Sequence, residues 1–190
     1  MSDAVIRELD DGQIREIYRQ RILKDFKRNE IKPLPAILKA KKEGHYLCLG
    51  LTEGEETTAY AFFVTLSDCA LLDYYAVRED LRGRGTGSRF LQALITGPLQ
   101  TVPCVLLETE DPDAAHSDKE RTTHQRRLRF YLKNGLMDTG VASCVWHVNY
   151  RLLAFPTGET PSPDEVRRHY ASFYHAMMPD ALFERMVRIE

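Results

Sequence analysis

The chain has 190 residues, 43% of them hydrophobic, with 28 acidic against 26 basic residues and a net charge of -2. That balance suits one compact domain with a sizeable core, and it excludes a global field favouring nucleic acid or an anionic membrane. No apolar run approaches the ~20 residues of a membrane span, so neither nucleic acid nor membrane is expected as a partner.

The N-terminal "MSDAVIRELDDGQ" lacks a basic region followed by an apolar block, so no secretory signal is expected. Cys48, Cys69, Cys104 and Cys144 are widely spaced in or beside apolar runs, with no CxxC pair. They read as reduced, buried thiols of a cytoplasmic protein. The six histidines show no metal spacing and no HExxH, so no metal is expected.

In chain order, "AVIREL" (4–9) predicts a short strand. From Asp11, residues Ile14, Ile17, Tyr18, Ile22 and Phe26 recur at helical spacing, with Asp10 or Asp11 as the cap. A second helix follows over 34–43, ended by Gly44. The period then changes. "HYLCLGL" (45–51), "TTAYAFFVTL" (57–66) and "ALLDYYAV" (70–77) read as three strands of an antiparallel meander.

"LRGRGTGSRFLQAL" (81–94) places three glycines at the start of a helix that buries Phe90, Leu91, Leu94 and Ile95. A strand is expected at 102–110, a polar piece at 111–120, and a helix from about 119 to 133. Residues 135–155 should hold two strands with an ill-defined turn. A Pro-rich connector (156–163) leads to two helices, one with Val166, Tyr170, Phe173 and Tyr174, the other with Leu182, Phe183, Met186 and Val187. The expected fold is α/β of the α+β kind, with a mixed sheet covered by helices. Residues 1–155 form the domain, and 156–190 a helical extension packed on it or on a second subunit of a homodimer.

Alternating glycines before a helix let backbone amides converge on an anion, where the helix N-terminus adds partial positive charge. The segment is no Walker A loop, because the lysine of GxxxxGK[ST] is absent. It is a poor Rossmann turn too, because "REDLR" separates the strand from the first glycine and three antiparallel-looking strands precede it. A plain capping turn with solvated arginines is the bland alternative.

"RGRGTG" (82–87) resembles the R/Q-x-x-G-x-G/A signature of the GCN5-related N-acetyltransferase (GNAT) superfamily. "FYLKNGL" (130–136) resembles that family's second marker, with Leu136 in place of the usual Phe. The resemblance covers about residues 4–155. It implies a mostly antiparallel central sheet with a splayed parallel strand pair, and transfer of an acetyl group from acetyl-CoA to a primary amine by direct attack. It implies that Arg82, Gly83, Arg84, Gly85, Thr86, Gly87 and Ser88 cradle the pyrophosphate, and that the backbone of Tyr75, Ala76 and Val77 contacts pantetheine and the thioester oxygen. Tyr131 becomes the acid that protonates the leaving thiolate. Acetyl-CoA and an amine acceptor are then the partners, with no metal.

The base is read from the residues. Glu108 and Glu110 fall on one face of a strand end, and Asp73 sits inside an apolar strand, where an unpaired carboxylate is costly. Glu108 is the first choice, with Glu110, Asp73 or water as alternatives. The rival function is a non-catalytic acyl-CoA sensor or interaction module on the same fold.

Overall fold

The computed structural model describes residues 4–28 and 30–190. Strand β1 (Val5–Glu8) leads to α1 (Asp11–Ile17), whose Asp10 cap forms a reciprocal capping box with Gln13. Each side chain satisfies a backbone amide that the first helical turn leaves unpaired. The helix does not continue regularly, as its spacing predicts. It widens into a π turn at Tyr18–Ile22 before a last turn, α2 (Leu23–Asp25). The widened turn carries two long-range anchors. Tyr18 donates to the Lys32 carbonyl at 3.0 Å, and Arg21 to the Thr57 carbonyl at 3.0 Å. After α3 (Leu34–Lys42) come β2 (Tyr46–Glu53), β3 (Glu56–Thr65) and β4 (Cys69–Val77). β1–β2 and β2–β3 are antiparallel, pairing Ile6 with Leu51 and Leu49 with Ala61. β4 begins buried and ends half-buried at Tyr75, Ala76 and Val77. A 3-10 turn (Glu79–Leu81) and the glycine loop then lead into α4 (Thr86–Thr96), which buries Phe90, Leu91 and Leu94.

β5 (Cys104–Glu110) is followed by α5 (Asp118–Lys133), capped by Ser117. β6 (Met137–Val145) and β7 (Val148–Ala154) form a hairpin, then α6 (Pro163–Met177), α7 (Asp180–Met186) and β8 (Val187–Ile189) complete the chain. The hairpin turn is two residues, Trp146 and His147, both at positive φ (50° and 66°). α6 opens with a Ser162–Glu165 capping box and buries Val166, Tyr170, Phe173 and Tyr174, the four residues its spacing predicts.

The final helix stops one residue short of expectation. Val187 leaves it to start β8, which pairs antiparallel with β6 (Val145↔Val187, Ser143↔Ile189). β-branched Val187 and Ile189 cap a strand edge that would otherwise carry unpaired amides and carbonyls.

The strands run in the order β1-β2-β3-β4-β5-β7-β6-β8, mostly antiparallel with one parallel pair, β4 and β5. The chain forms two compact units. The first takes the residues up to Thr65 with Leu72–Leu94; the second takes Leu66–Leu71 with Ile95–Glu190. Residues 156–190 thus belong to the same unit as 95–155. Among the described residues, no helix is long and apolar enough to cross a membrane.

Candidate functional site

The glycine loop of the first unit is built to leave amides open. Gly83 and Gly85 have φ of +76° and +78°, a region that costs other L-residues roughly 1–2 kcal/mol. Arg82 donates its amide to the Glu79 carbonyl (3.2 Å), and Arg89 donates its amide to the Gly85 carbonyl (3.0 Å). Among the described residues, no protein acceptor meets the six amides between them, Gly83 to Ser88. The loop is exposed from Arg82 to Gly85, and it opens an eleven-residue helix. Unpaired amides at a helix N-terminus carry about half a positive charge, which makes them an anion site.

Side chains hold this loop in place. The Arg82 guanidinium donates to the Val77 carbonyl (2.9 Å) and pairs with Asp25 (2.5 Å). Asp25 also accepts from Tyr60 (3.0 Å), and Arg21 lies over the Tyr60 ring at 4.6 Å while reaching the Ala76 carbonyl (3.5 Å). Arg82 thereby ties the loop to the end of β4 and to α2. From the other side, Tyr75 donates to the Gly87 carbonyl (2.6 Å) and stacks on Phe90 with centroids 5.6 Å apart. Arg89 steadies the loop through the Arg84 carbonyl and Thr86 Oγ1, both at 3.3 Å. Arg84 itself is exposed, Thr86 is buried, and Ser88 is half-buried. The side chains of Tyr75 and Arg82 are therefore engaged with protein, and the backbone is what remains for a ligand.

Asp73 has two partners in the same unit. Lys32 approaches it at 2.5 Å and Tyr46 donates to its other oxygen. Burial, then the Asp73 charge, pushes the Tyr46 phenol well above its ordinary value. The half-buried carboxylate that the sequence marks as needing a partner or a task has partners. A separate polar cavity of about 260 Å³ in this unit is lined by Gln13, Glu16, Arg21, Glu55, Glu56 and Arg78 among others, and contains none of the predicted site residues.

In the second unit, Glu108 is half-buried near the end of β5. One carboxylate oxygen accepts from two tyrosines of α6: Tyr174 at 2.6 Å, and Tyr170, whose hydroxyl also bonds Ser143 at 2.9 Å. The two rings meet edge to face, centroids 5.1 Å apart. Burial first, then the Glu108 charge, drives both phenols well above their usual range, so both stay protonated donors. Tyr170 and Tyr174 were legible in the sequence only as packing residues. Their i,i+4 spacing on an apolar face masks a polar task.

Glu110 is buried and paired with Arg127, with His124 3.9 Å away. Burial pushes its carboxyl up, but the Arg127 charge and hydrogen bonds outweigh this and leave it below its ordinary value. Tyr131, on α5, is buried, and desolvation pushes its phenol up to about 12. It is a protonated group at neutral pH.

No family model matches the sequence, and neither does any curated protein. Solved structures do match. A protein from Bacteroides thetaiotaomicron described as a GNAT-family acetyltransferase superposes with a TM-score of 0.68 at 13% identity, over 94% of this chain and 98% of its own. This chain has the GNAT fold. A Salmonella typhimurium protein described as an acetyltransferase, solved with its cofactor acetyl-CoA, matches with a TM-score of 0.58 at 18% identity, over 86% of this chain and 99% of its own. An aminoglycoside 6'-N-acetyltransferase solved with coenzyme A matches with a TM-score of 0.57 at 15% identity, over 83% and 99%. The first of these GNAT-fold matches spans more of the chain than residues 4–155, so it takes in part of the C-terminal extension as well.

Proposed function

We propose that this GNAT-fold chain is an acetyl-CoA-dependent N-acetyltransferase acting on a primary amine. The observation that carries the reading is the run of six unpartnered amides from Gly83 to Ser88, on a loop with two positive-φ glycines at a helix N-terminus. A diphosphate takes several such donors at once, and the solved structures of this fold with acetyl-CoA and coenzyme A support the choice of diphosphate.

In this reading the backbone of Tyr75, Ala76 and Val77 pairs with pantetheine, and an amide near Tyr75 or Ala76 faces the thioester oxygen as it gains charge. An alkylamine has a pKa near 10 and arrives protonated. Glu108, which accepts from the Tyr170 and Tyr174 hydroxyls, takes that proton directly or through water. The amine nitrogen then bonds to the acetyl carbon, the carbon–sulfur bond breaks, and Tyr131 protonates the departing thiolate; the second proton that the nitrogen sheds as the amide forms leaves through water, which also restores the Tyr131 phenol. Glu110 and Asp73 are assigned to structure, because Arg127 and the Lys32–Tyr46 pair respectively satisfy them.

One observation favours the second reading, a non-catalytic acyl-CoA sensor: all three candidate base carboxylates already have protein partners. Screening amines, amino acids, peptide N-termini and aminoglycosides for thiol release from acetyl-CoA separates the two. The enzyme reading expects turnover on at least one acceptor, falling about 100-fold or more in Tyr131→Phe, the range for loss of one general acid. Coenzyme A binding without turnover on any acceptor sinks it in favour of the sensor.

A further inference from the structure

We propose that Asp68, Cys69 and His169 form a site for a zinc-like divalent metal ion that fastens α6 to the start of β4. The inference does not depend on the acyltransferase reading.

Cys69 opens β4, Asp68 immediately precedes it in the turn, and His169 comes from α6, a hundred residues later in the chain. One ligand atom from each, a carboxylate oxygen, a thiol sulfur and an imidazole nitrogen, lies within 4.8 Å of the other two. The His169 Nδ1 to Asp68 Oδ1 distance is 3.9 Å.

A surface Asp–His pair alone would be a weak clasp. Here the pair sits over a thiol that is 1% exposed, with the His169 side chain itself only 15% exposed. Sulfur and imidazole donors select zinc over magnesium or calcium, which take oxygen. Zinc bond lengths of about 2.0–2.3 Å place tetrahedral ligand atoms about 3.5 Å apart. The donors must therefore close by up to about 1.3 Å, and Asp68, being exposed, can turn to close its share. On binding, the Cys69 thiol gives its proton to solvent and its sulfur bonds the metal. Carboxylate and thiolate then balance the two positive charges, with the fourth position open to water.

Position in sequence hid this arrangement. Two adjacent residues and one distant histidine make no ligand spacing, and only the docking of α6 assembles them.

The test is titration of the reduced, chelator-stripped full chain with zinc alone, in competition with a chromophoric chelator. One equivalent per chain is expected. His169→Gln and Asp68→Asn should each weaken binding at least about tenfold while far-UV circular dichroism stays native. Cobalt should give a thiolate charge-transfer band that Cys69→Ser removes. Wild-type protein that takes up no stoichiometric zinc, or zinc affinity unchanged in folded His169→Gln, overturns the proposal.

Discussion

Tyr170→Phe isolates the polar link between the C-terminal extension and β5. The ring is fully buried and meets Tyr174 edge to face, and phenylalanine preserves both contacts. Only the hydroxyl is lost, and with it a hydrogen bond to the Glu108 carboxylate and one shared with Ser143. A bond to a charged acceptor contributes about 1.5–3 kcal/mol, and a buried Ser143 hydroxyl left without its partner costs about 1 kcal/mol more. The sum is about 3 kcal/mol. At about 2–4 °C per kcal/mol for a chain of this size, Tm should fall by roughly 6–12 °C in thermal unfolding followed by circular dichroism. Tyr174→Phe loses one bond and should fall by less. In a Glu108→Gln background the Tyr170 substitution should cost much less, because the two groups share one interaction. A Tyr170→Phe protein that melts within about 2 °C of wild type would refute the link.

The Glu110–Arg127 pair should show in the acid range. The folded-state pKa of Glu110 is depressed, so its stabilisation is present above the unfolded value of about 4.3 and is lost as pH falls below it. Tm of Arg127→Met should therefore lie below wild type at pH 7 and converge on it as pH drops below about 4; a difference independent of pH contradicts this. At the β6–β7 turn, Trp146 and His147 occupy positions that Asn-Gly prefers. Replacing the pair by Asn-Gly should stabilise the protein by about 1 kcal/mol through relieved backbone strain, read by urea unfolding; unchanged or lowered stability shows that Trp146 contributes contacts that outweigh the strain.

Features governed by local rules were legible in the sequence. The glycine loop, the capped start of α1, the three aromatic strands and the apolar face of α6 each follow from neighbours a few residues apart. What escaped depends on contacts from afar. The π turn at Tyr18–Ile22 serves Lys32 and Thr57. β8 exists because β6 offers it an edge. The β6–β7 turn lacks the Asn-Gly signal that marks such turns, so its place in 135–155 could not be read. In the candidate site, the open turn at Gly83 and Gly85 followed from glycine spacing, whereas the engagement of Arg82 by Asp25 and Val77 did not. Glu108 and Asp73 were both visible as notable carboxylates. Their partners, Tyr170 with Tyr174 and Lys32 with Tyr46, lie 27 to 66 residues away.

The central claim is that the amides of Gly83 to Ser88 hold the diphosphate of an acyl carrier. Calorimetric titration of coenzyme A into wild type and Gly85→Glu tests it most directly. A glutamate there would sit at a φ of +78° and set a negative charge among the open amides. The account predicts saturable binding to wild type and at least about a 100-fold loss, roughly 2.7 kcal/mol, in a folded variant. Equal affinity in the two proteins, or no binding to wild type, would contradict it.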